Sequence, residues 1–461
     1  MILVLTICFV LAHLLPRMAV AALTAGRRRE RDLFSPLRVL TFLALLSVPY
    51  LLLLSGNIEL MSAEVRRSPL VPDLTGAIAA WVAVACAGFL ALALGLHAPA
   101  GGWLARRLPV LHGRQFTAAR CRRAALLMGG TGVALYAVFL HQIGGLRRLW
   151  TFMALRTDVL AGRGYLFNAY TLLLTFTPLL LVYALRFRPS RIRTAAVVLA
   201  VAAVCAILAS TGGRGGAVTL IVYSMMTAHY GVRRFRRVVK PWTVLLGAVI
   251  FVFIVAMPLF RTEGAFERYS ARPSLLLRAT RDEVGRISHQ LSGLDRGVVI
   301  VSYFTPDRLW WGSSYLDLLS APIPRALLPD KPPVDDGVYV TALALGNEVR
   351  PSLPARLLPP TSWPPGNWVL YMNFGLPGYL LGMFLTGVAI GVAYRYMRRC
   401  DFSPFSVYLY GYSVMGGVSF SNYNLIQMAV TVAVAVLVFV PLFRTWLPAL
   451  RVHRPVLAGT A

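Results

Sequence analysis

Apolar runs of roughly 18–23 residues recur along the whole chain, each long enough to cross about 30 Å of hydrocarbon. Hydrocarbon offers no water to exposed peptide groups, so such runs fold as helices that satisfy their own backbone. Eleven fit the sequence: 2–23, 36–57, 73–97, 124–143, 165–185, 194–210, 216–231, 242–260, 366–394, 404–420 and 424–443. Of the 461 residues, 57% are hydrophobic, and the mean hydropathy is +0.66. The expected fold is an all-α polytopic membrane protein with about eleven transmembrane helices.

The net charge of +28 invites a nucleic-acid reading, but the placement of the charge argues against one. The basic residues form short clusters between apolar runs, such as "RRRERD" (27–32), "RFRPSRIR" (186–193), "RRFRRVVK" (233–240) and "RYMRR" (395–399). This is the positive-inside pattern of membrane proteins. Alternating the runs from an outside N-terminus puts every such cluster on the inside, together with the C-terminus. An even number of runs breaks that agreement. The five cysteines fall in apolar runs or beside inside clusters, with no disulfide or CxxC spacing. The opening "MILVLTICFVLAHLLP" has no basic residue ahead of its apolar run, which predicts a retained helix. "AVAAL" (19–23) supports the minority reading of a cleaved leader.

Three regions follow: 1–260 with eight runs, a long outside loop at 261–365, and 366–461 with three runs and a cytoplasmic tail. The loop holds 11 of the 18 acidic residues and is dense in proline from Pro322 to Pro365. In 274–291 the apolar residues keep helical spacing, with Asp282 and Arg286 as an i,i+4 pair. Short amphipathic helices on the membrane surface are expected here, with Trp310 and Trp311 at the interface. A long loop between spans is a usual place for function.

Candidate chemistry centres on cations. In "STGGRGG" (210–216), Arg214 sits among glycines between two apolar runs. The glycines leave backbone N–H groups free to form an anion nest, and a tight turn explains the stretch equally well. Arg278, Arg281, Arg296, Arg325 and Lys331 add cations to the loop, though their mixture with acids also fits salt bridges. "PRALLPDKP" (324–332) sets Arg325, Asp330 and Lys331 among stiffening prolines, either as a fixed charge triplet or as a kinked surface loop. His289 could serve as a base, with Asp330, Asp295 and Glu283 as rivals. "VDDG" (334–337), flanked by turn formers, reads as a solvated turn. No metal-ligand, P-loop or GxSxG motif is present.

"APIPRALLPDKP" (321–332) followed by "WVLYMNFGLPGYLLGMFLTG" (368–387) resembles the bacterial oligosaccharide repeat-unit polymerases, the Wzy-type O-antigen polymerases. The shared positions are Pro324, Arg325, Pro329, Lys331 and Pro332, then Tyr371, Asn373, Phe374, Gly375 and Gly378. Gly213, Arg214 and Gly215 match that family's middle turn, and "GSSYLDLL" (312–319) its usual lead-in. One departure is the stretch "PPGNWVL", which lacks the acid that many members carry there. The resemblance implies a GT-C-like, metal-independent glycosyltransferase of the bacterial inner membrane, with no cofactor. It would transfer a growing glycan from undecaprenyl pyrophosphate to the non-reducing end of a new lipid-linked repeat unit. On that reading the cations expected on pyrophosphate are Arg214 and Arg325, assisted by Lys331 and by Arg278 or Arg281, with Arg296 also among the substrate-binding residues. His289 or Asp330 would be the base, and Tyr371 and Asn373 would bind sugar or brace the loop. Its partners would be undecaprenyl-pyrophosphate-linked oligosaccharides, membrane lipid and a chain-length regulator protein, with no nucleic acid. An O-antigen ligase-like transfer and, less well, a lipid-linked glycan flippase are the alternatives.

Overall fold

The computed structural model describes residues 1–23, 32–110, 116–151, 163–211, 213–235, 292–323 and 327–443, with scattered positions between 247 and 279. Among the described residues every regular element is helical and there is no strand. The apolar runs become α1 (Ile2–Leu23), α2 (Pro36–Leu45), α3 (Val48–Gly56), α4 (Leu74–His97), α5 (Ala118–Ile143), α6 (Gly164–Ala184), α7 (Arg191–Ala209) and α8 (Arg214–Thr227). The long loop contributes α9 (Leu294–Tyr303), α10 (Ser313–Ser320) and α11 (Gly337–Ala344). The chain closes with α12 (Trp368–Arg399), α13 (Pro404–Tyr412) and α14 (Asn422–Phe443). Among the described residues, seven candidate spans are long and apolar enough to cross a membrane: α1, α2 with α3, α4, α5, α6, α7 and α12. This is the architecture of a polytopic membrane protein. The run 242–260 lies largely outside the described residues.

Helix starts follow local chemistry. Asp73 accepts the Gly76 N–H at 2.9 Å and caps α4, while Thr117 and Ser190 cap α5 and α7 in the same way. Pro36 and Pro404 open α2 and α13 at positions where a missing N–H costs nothing.

α4 and α12 pack backbone against backbone. A Cβ on Gly95 would lie 2.0 Å from the Phe384 carbonyl oxygen, and one on Gly387 would lie 2.1 Å from that of Leu92. Backbones meet there because neither helix has a side chain in the way, the usual device for association within lipid. Contacts advance together along both helices, from Gly88 on Tyr379 to Gly95 on Phe384 to Gly391 on the Leu96 carbonyl. The two helices therefore run parallel.

Two cores share this spine. One gathers α5, α6, α8 and α13 around Tyr170, Tyr183, Leu220 and Tyr410. The other joins α1, α3 and the first half of α4 to α9 and α11. The amphipathic helix expected over 274–291 lies largely outside the described residues. α9, which follows it, is internal, with Leu294, Val298, Val299 and Ile300 fully buried. Its acid, Asp295, is buried too and accepts Tyr50 O–H at 2.9 Å and the Ser62 N–H at 3.1 Å. Gly297 lets the helix seat on the Trp81 indole. Trp310 is likewise internal, edge-on to Phe304 and Tyr339, whereas Trp311 is exposed.

At the opposite end of the bundle, Asp32 ties three segments together. Its carboxylate accepts Tyr394 O–H at 2.6 Å and Tyr230 O–H at 2.9 Å, and His229 Nε2 lies 3.5 Å away. Burial pushes the Asp32 pKa up, but the His229, Tyr394 and Tyr230 contacts outweigh it and hold the carboxyl below its ordinary value. His229 and Tyr230 occupy a π-helical turn, Ala228–Val232, that continues α8.

Replacing Gly387 by leucine should force α4 and α12 apart and cost roughly 3 kcal/mol or more. Thermal unfolding in detergent checks this, and an unchanged midpoint would contradict the packing described.

Candidate functional site at the α12 reversal

The site is built on a chain reversal. Gly375 has φ 64° and ψ −160°, which breaks α12 and suits only glycine. Residues 368–374 then fold back along 376–386. Trp368 stacks on Tyr379 with ring centroids 4.7 Å apart, and Asn367 Nδ2 donates to Thr386 Oγ1 at 3.1 Å. In a straight helix those last two residues would be roughly 28 Å apart at 1.5 Å per residue. The expected span at 366–394 is therefore two pieces, and the long apolar piece starts at 376.

The break frees carbonyls, and the loop takes them. Pro377 has no N–H to offer the Asn373 carbonyl, which instead accepts the Trp311 N–H at 2.9 Å. The Met372 carbonyl accepts the Trp310 N–H at 3.1 Å. The Asn373 side chain completes the joint. Its Oδ1 accepts from the Gly312 N–H and Ser314 O–H, and its Nδ2 donates to Ser314 Oγ and the Val369 carbonyl. Asn373 is fully buried with every donor and acceptor used, so it braces the loop.

Beside this joint lies a buried polar cluster. Asn422, the first residue of α14, donates its Nδ2 to the Ser314 carbonyl at 2.6 Å. Its backbone N–H donates to Asp336 Oδ2 at 2.7 Å. Asp336 is 1% exposed, which corrects the reading of "VDDG" as a solvated turn. Burial pushes the Asp336 carboxyl up to about 7; the Asn422 N–H opposes the shift, and Asp335 and Asp317 add to it. Asp317 is also buried and raised by burial, but Ser352 O–H at 2.5 Å and Tyr339 O–H at 3.2 Å satisfy it. Among the described residues, two buried polar atoms here have no hydrogen-bond partner, Tyr315 Oη and Asn422 Oδ1.

An apolar groove of about 360 Å³ adjoins the cluster, lined by Leu370, Phe374, Pro377, Leu381, Leu385 and Phe420. Phe374 stacks on Tyr315 with centroids 6.4 Å apart, and Phe420 precedes Asn422 by two residues. These two rings separate the groove from the cluster. A larger hollow of about 630 Å³ lies against the start of α7, but no carboxylate or histidine lines it, so volume alone does not mark the site.

The other expected site residues are scattered. Lys331 is buried, and its ammonium donates to the Ala321 and Ile323 carbonyls at 2.6 and 2.8 Å, closing the end of α10. Asp330 points outward and pairs with the exposed Arg356 at 2.8 Å, so it does not converge with Lys331. Arg278 is exposed, and Arg214 is a part-exposed first residue of α8. Tyr371 packs edge-on to Trp368 and Tyr379. Arg281, His289 and Arg325 lie outside the described residues.

Arg296 is the unusual cation. It folds back over Gly293 at the start of α9, and its Nε is buried without a hydrogen-bond partner. Burial lowers its pKa from the usual guanidinium value, and among the described residues no carboxylate pairs with it. Asp336, Asp317, Tyr315 and Asn422 were not among the sequence candidates. For Asp336 a signal existed, since the apolar "VYVTALA" follows it directly. Comparison with models of known families, with curated proteins and with solved structures finds no match.

Asn373→Ala should cost about 2–3 kcal/mol, because it strands the Gly312 N–H and the Ser314 hydroxyl. Limited proteolysis between 305 and 365 should accelerate accordingly. The Asp336 shift fixes the sign of a pH effect. With a folded pKa raised to about 7, the group stabilises the fold fully only below its ordinary pKa of 3.8 and loses that contribution as pH rises to 7. Wild-type melting temperature should therefore fall from pH 5 to pH 8 relative to Asp336→Asn, by the equivalent of roughly 2–4 kcal/mol. Parallel pH profiles would remove Asp336 as the source.

Proposed function

We propose that the protein is a glycosyltransferase that polymerises lipid-linked oligosaccharide repeat units. In this reading it works at the periplasmic face of the bacterial inner membrane. It moves the growing glycan from undecaprenyl pyrophosphate to the non-reducing end of a new lipid-linked unit. The observation that carries the reading is the shared wall between an apolar groove and a buried polar cluster. An amphiphile with a prenyl tail and a sugar head needs both surfaces at once. The matching residues of the reversal, Asn373, Phe374, Gly375 and Gly378, form that wall or its support.

The eleven-span topology fits the helix directions. α4 and α12 run parallel, which requires an odd number of crossings between them. α5, α6, α7 and α8 give four, and the apolar run 242–260 read from the sequence gives the fifth. The 292–365 segment then lies on the periplasmic side, with the N-terminus, and the C-terminus is cytoplasmic.

Pyrophosphate departs with developing negative charge, which a fixed cation stabilises. Arg296 suits that role because its Nε is buried without a hydrogen-bond partner among the described residues, and a partly desolvated guanidinium without a counter-charge is costly until an anion arrives.

Purified protein given undecaprenyl-pyrophosphate-linked repeat units should produce a ladder of longer lipid-linked glycans, also in EDTA. A single transfer to another acceptor would mean a ligase, and no transfer at all would end the proposal. Arg296→Met should lower elongation by about 100-fold or more while the melting temperature holds or rises. Elongation at the wild-type rate would remove Arg296 from the site.

A further inference from the structure

We infer that Asp336 takes the proton from the acceptor sugar hydroxyl, with Tyr315 donating to that hydroxyl's oxygen and Asn422 Oδ1 accepting from a neighbouring hydroxyl of the same sugar. The inference rests on the glycosyl transfer proposed above and gives that reaction its base. In the step, the hydroxyl oxygen forms a bond to the donor's anomeric carbon. The bond from that carbon to the pyrophosphate oxygen breaks, and its electron pair leaves with the pyrophosphate. The hydroxyl proton passes to a carboxylate oxygen of Asp336.

Four observations support the assignment. First, Asp336 is 1% exposed, and among the described residues no cation pairs with it. Its charged neighbours, Asp335 and Asp317, are acids, which makes proton uptake favourable. Second, the unused hydrogen-bonding capacity nearby matches a sugar hydroxyl. Asn422 is 1% exposed, and its Oδ1 and the Tyr315 hydroxyl are buried without partners. A sugar hydroxyl placed there accepts from Tyr315 and donates to Asp336, while a neighbouring hydroxyl of the sugar donates to Asn422 Oδ1. Buried polar groups left open in this way are costly unless something fills them.

Third, the cluster adjoins the groove, separated from it by Phe374 and Phe420, and Phe374 is 37% exposed. A lipid-linked sugar with its tail in the groove is thereby held next to Asp336. Fourth, a carboxyl at about 7 is matched to proton transfer near neutral pH, where an ordinary carboxylate is a poor base. The rival carboxylates are committed elsewhere: Asp317 to Ser352 and Tyr339, Asp295 to Tyr50 and Ser62, and Asp330 to Arg356.

The test compares wild type with Asp336→Asn, which keeps an oxygen for the Asn422 N–H but cannot take a proton. Both are assayed on undecaprenyl-pyrophosphate-linked repeat units from pH 5 to 9, and their melting temperatures are measured at pH 8. The wild-type rate should rise with pH through an apparent pKa near 7 to a plateau. Asp336→Asn should elongate at least about 100-fold more slowly, without that rise, while melting no lower than wild type. Asp336→Glu should recover part of the rate, and Tyr315→Phe should lose about 10-fold with the pH profile unchanged. Wild-type elongation by Asp336→Asn overturns the base assignment and leaves the polymerase reading standing. A lower melting temperature, with activity lost in proportion, assigns Asp336 to holding the start of α14 and overturns it equally. A wild-type protein that elongates at no pH ends the polymerase reading and the base assignment with it.

Discussion

The reversal at Gly375 is the constraint on which the rest of this end of the molecule depends. A glycine in a conformation closed to other residues stops α12, and a proline two positions later leaves a carbonyl with no helical partner. The orphaned carbonyls of Met372 and Asn373 bind the backbone at Trp310 and Trp311, so the loop is hydrogen-bonded to the break. From that joint follow the seat of α10, the position of Asn422 against Ser314 and the burial of Asp336. The groove is also a product of the reversal, since its walls come from both arms of the fold-back.

The molecule separates its buried charges into two kinds. Asp32, Asp295 and Asp317 each accept at least two donors and join segments far apart in sequence. Asp336 and Arg296 are different: Asp336 is buried and Arg296 has its Nε buried, and neither has an ion-pair partner among the described residues. Such groups lower stability unless a ligand completes them. Their cost is the physical basis for reading them as functional rather than structural.

Much of the architecture was legible in the sequence, because apolar length and helix caps act locally. Among the described residues, seven of the eleven apolar runs coincide with helices long and apolar enough to cross a membrane, and the run at 242–260 lies mostly outside them. The short motif "YMNFGLPG" was legible as a motif but not as a reversal, since two arms meeting is a tertiary fact. Asp336 was misjudged because its neighbours, Pro332, Pro333 and Gly337, form turns both in water and in a core. Lys331 looked like a ligand for phosphate, yet its partners are two carbonyls whose positions depend on where α10 ends. Arg296 was one cation among many until burial set it apart.

The placement of α9 has a consequence for how the chain is made. Tyr50 and Asp295 bond to each other across 245 positions of sequence. At roughly 5–20 residues per second, synthesis places Asp295 some tens of seconds after Tyr50. Throughout that interval α1, α3 and the first half of α4 have an open slot where Leu294, Val298 and Ile300 will sit. The nascent protein thus inserts its early helices before their core exists. The hydrophobic filling comes from a segment that is itself neither long nor apolar enough to count as a span. Biogenesis of this bundle is therefore not finished helix by helix, and its first-made part is completed late in translation.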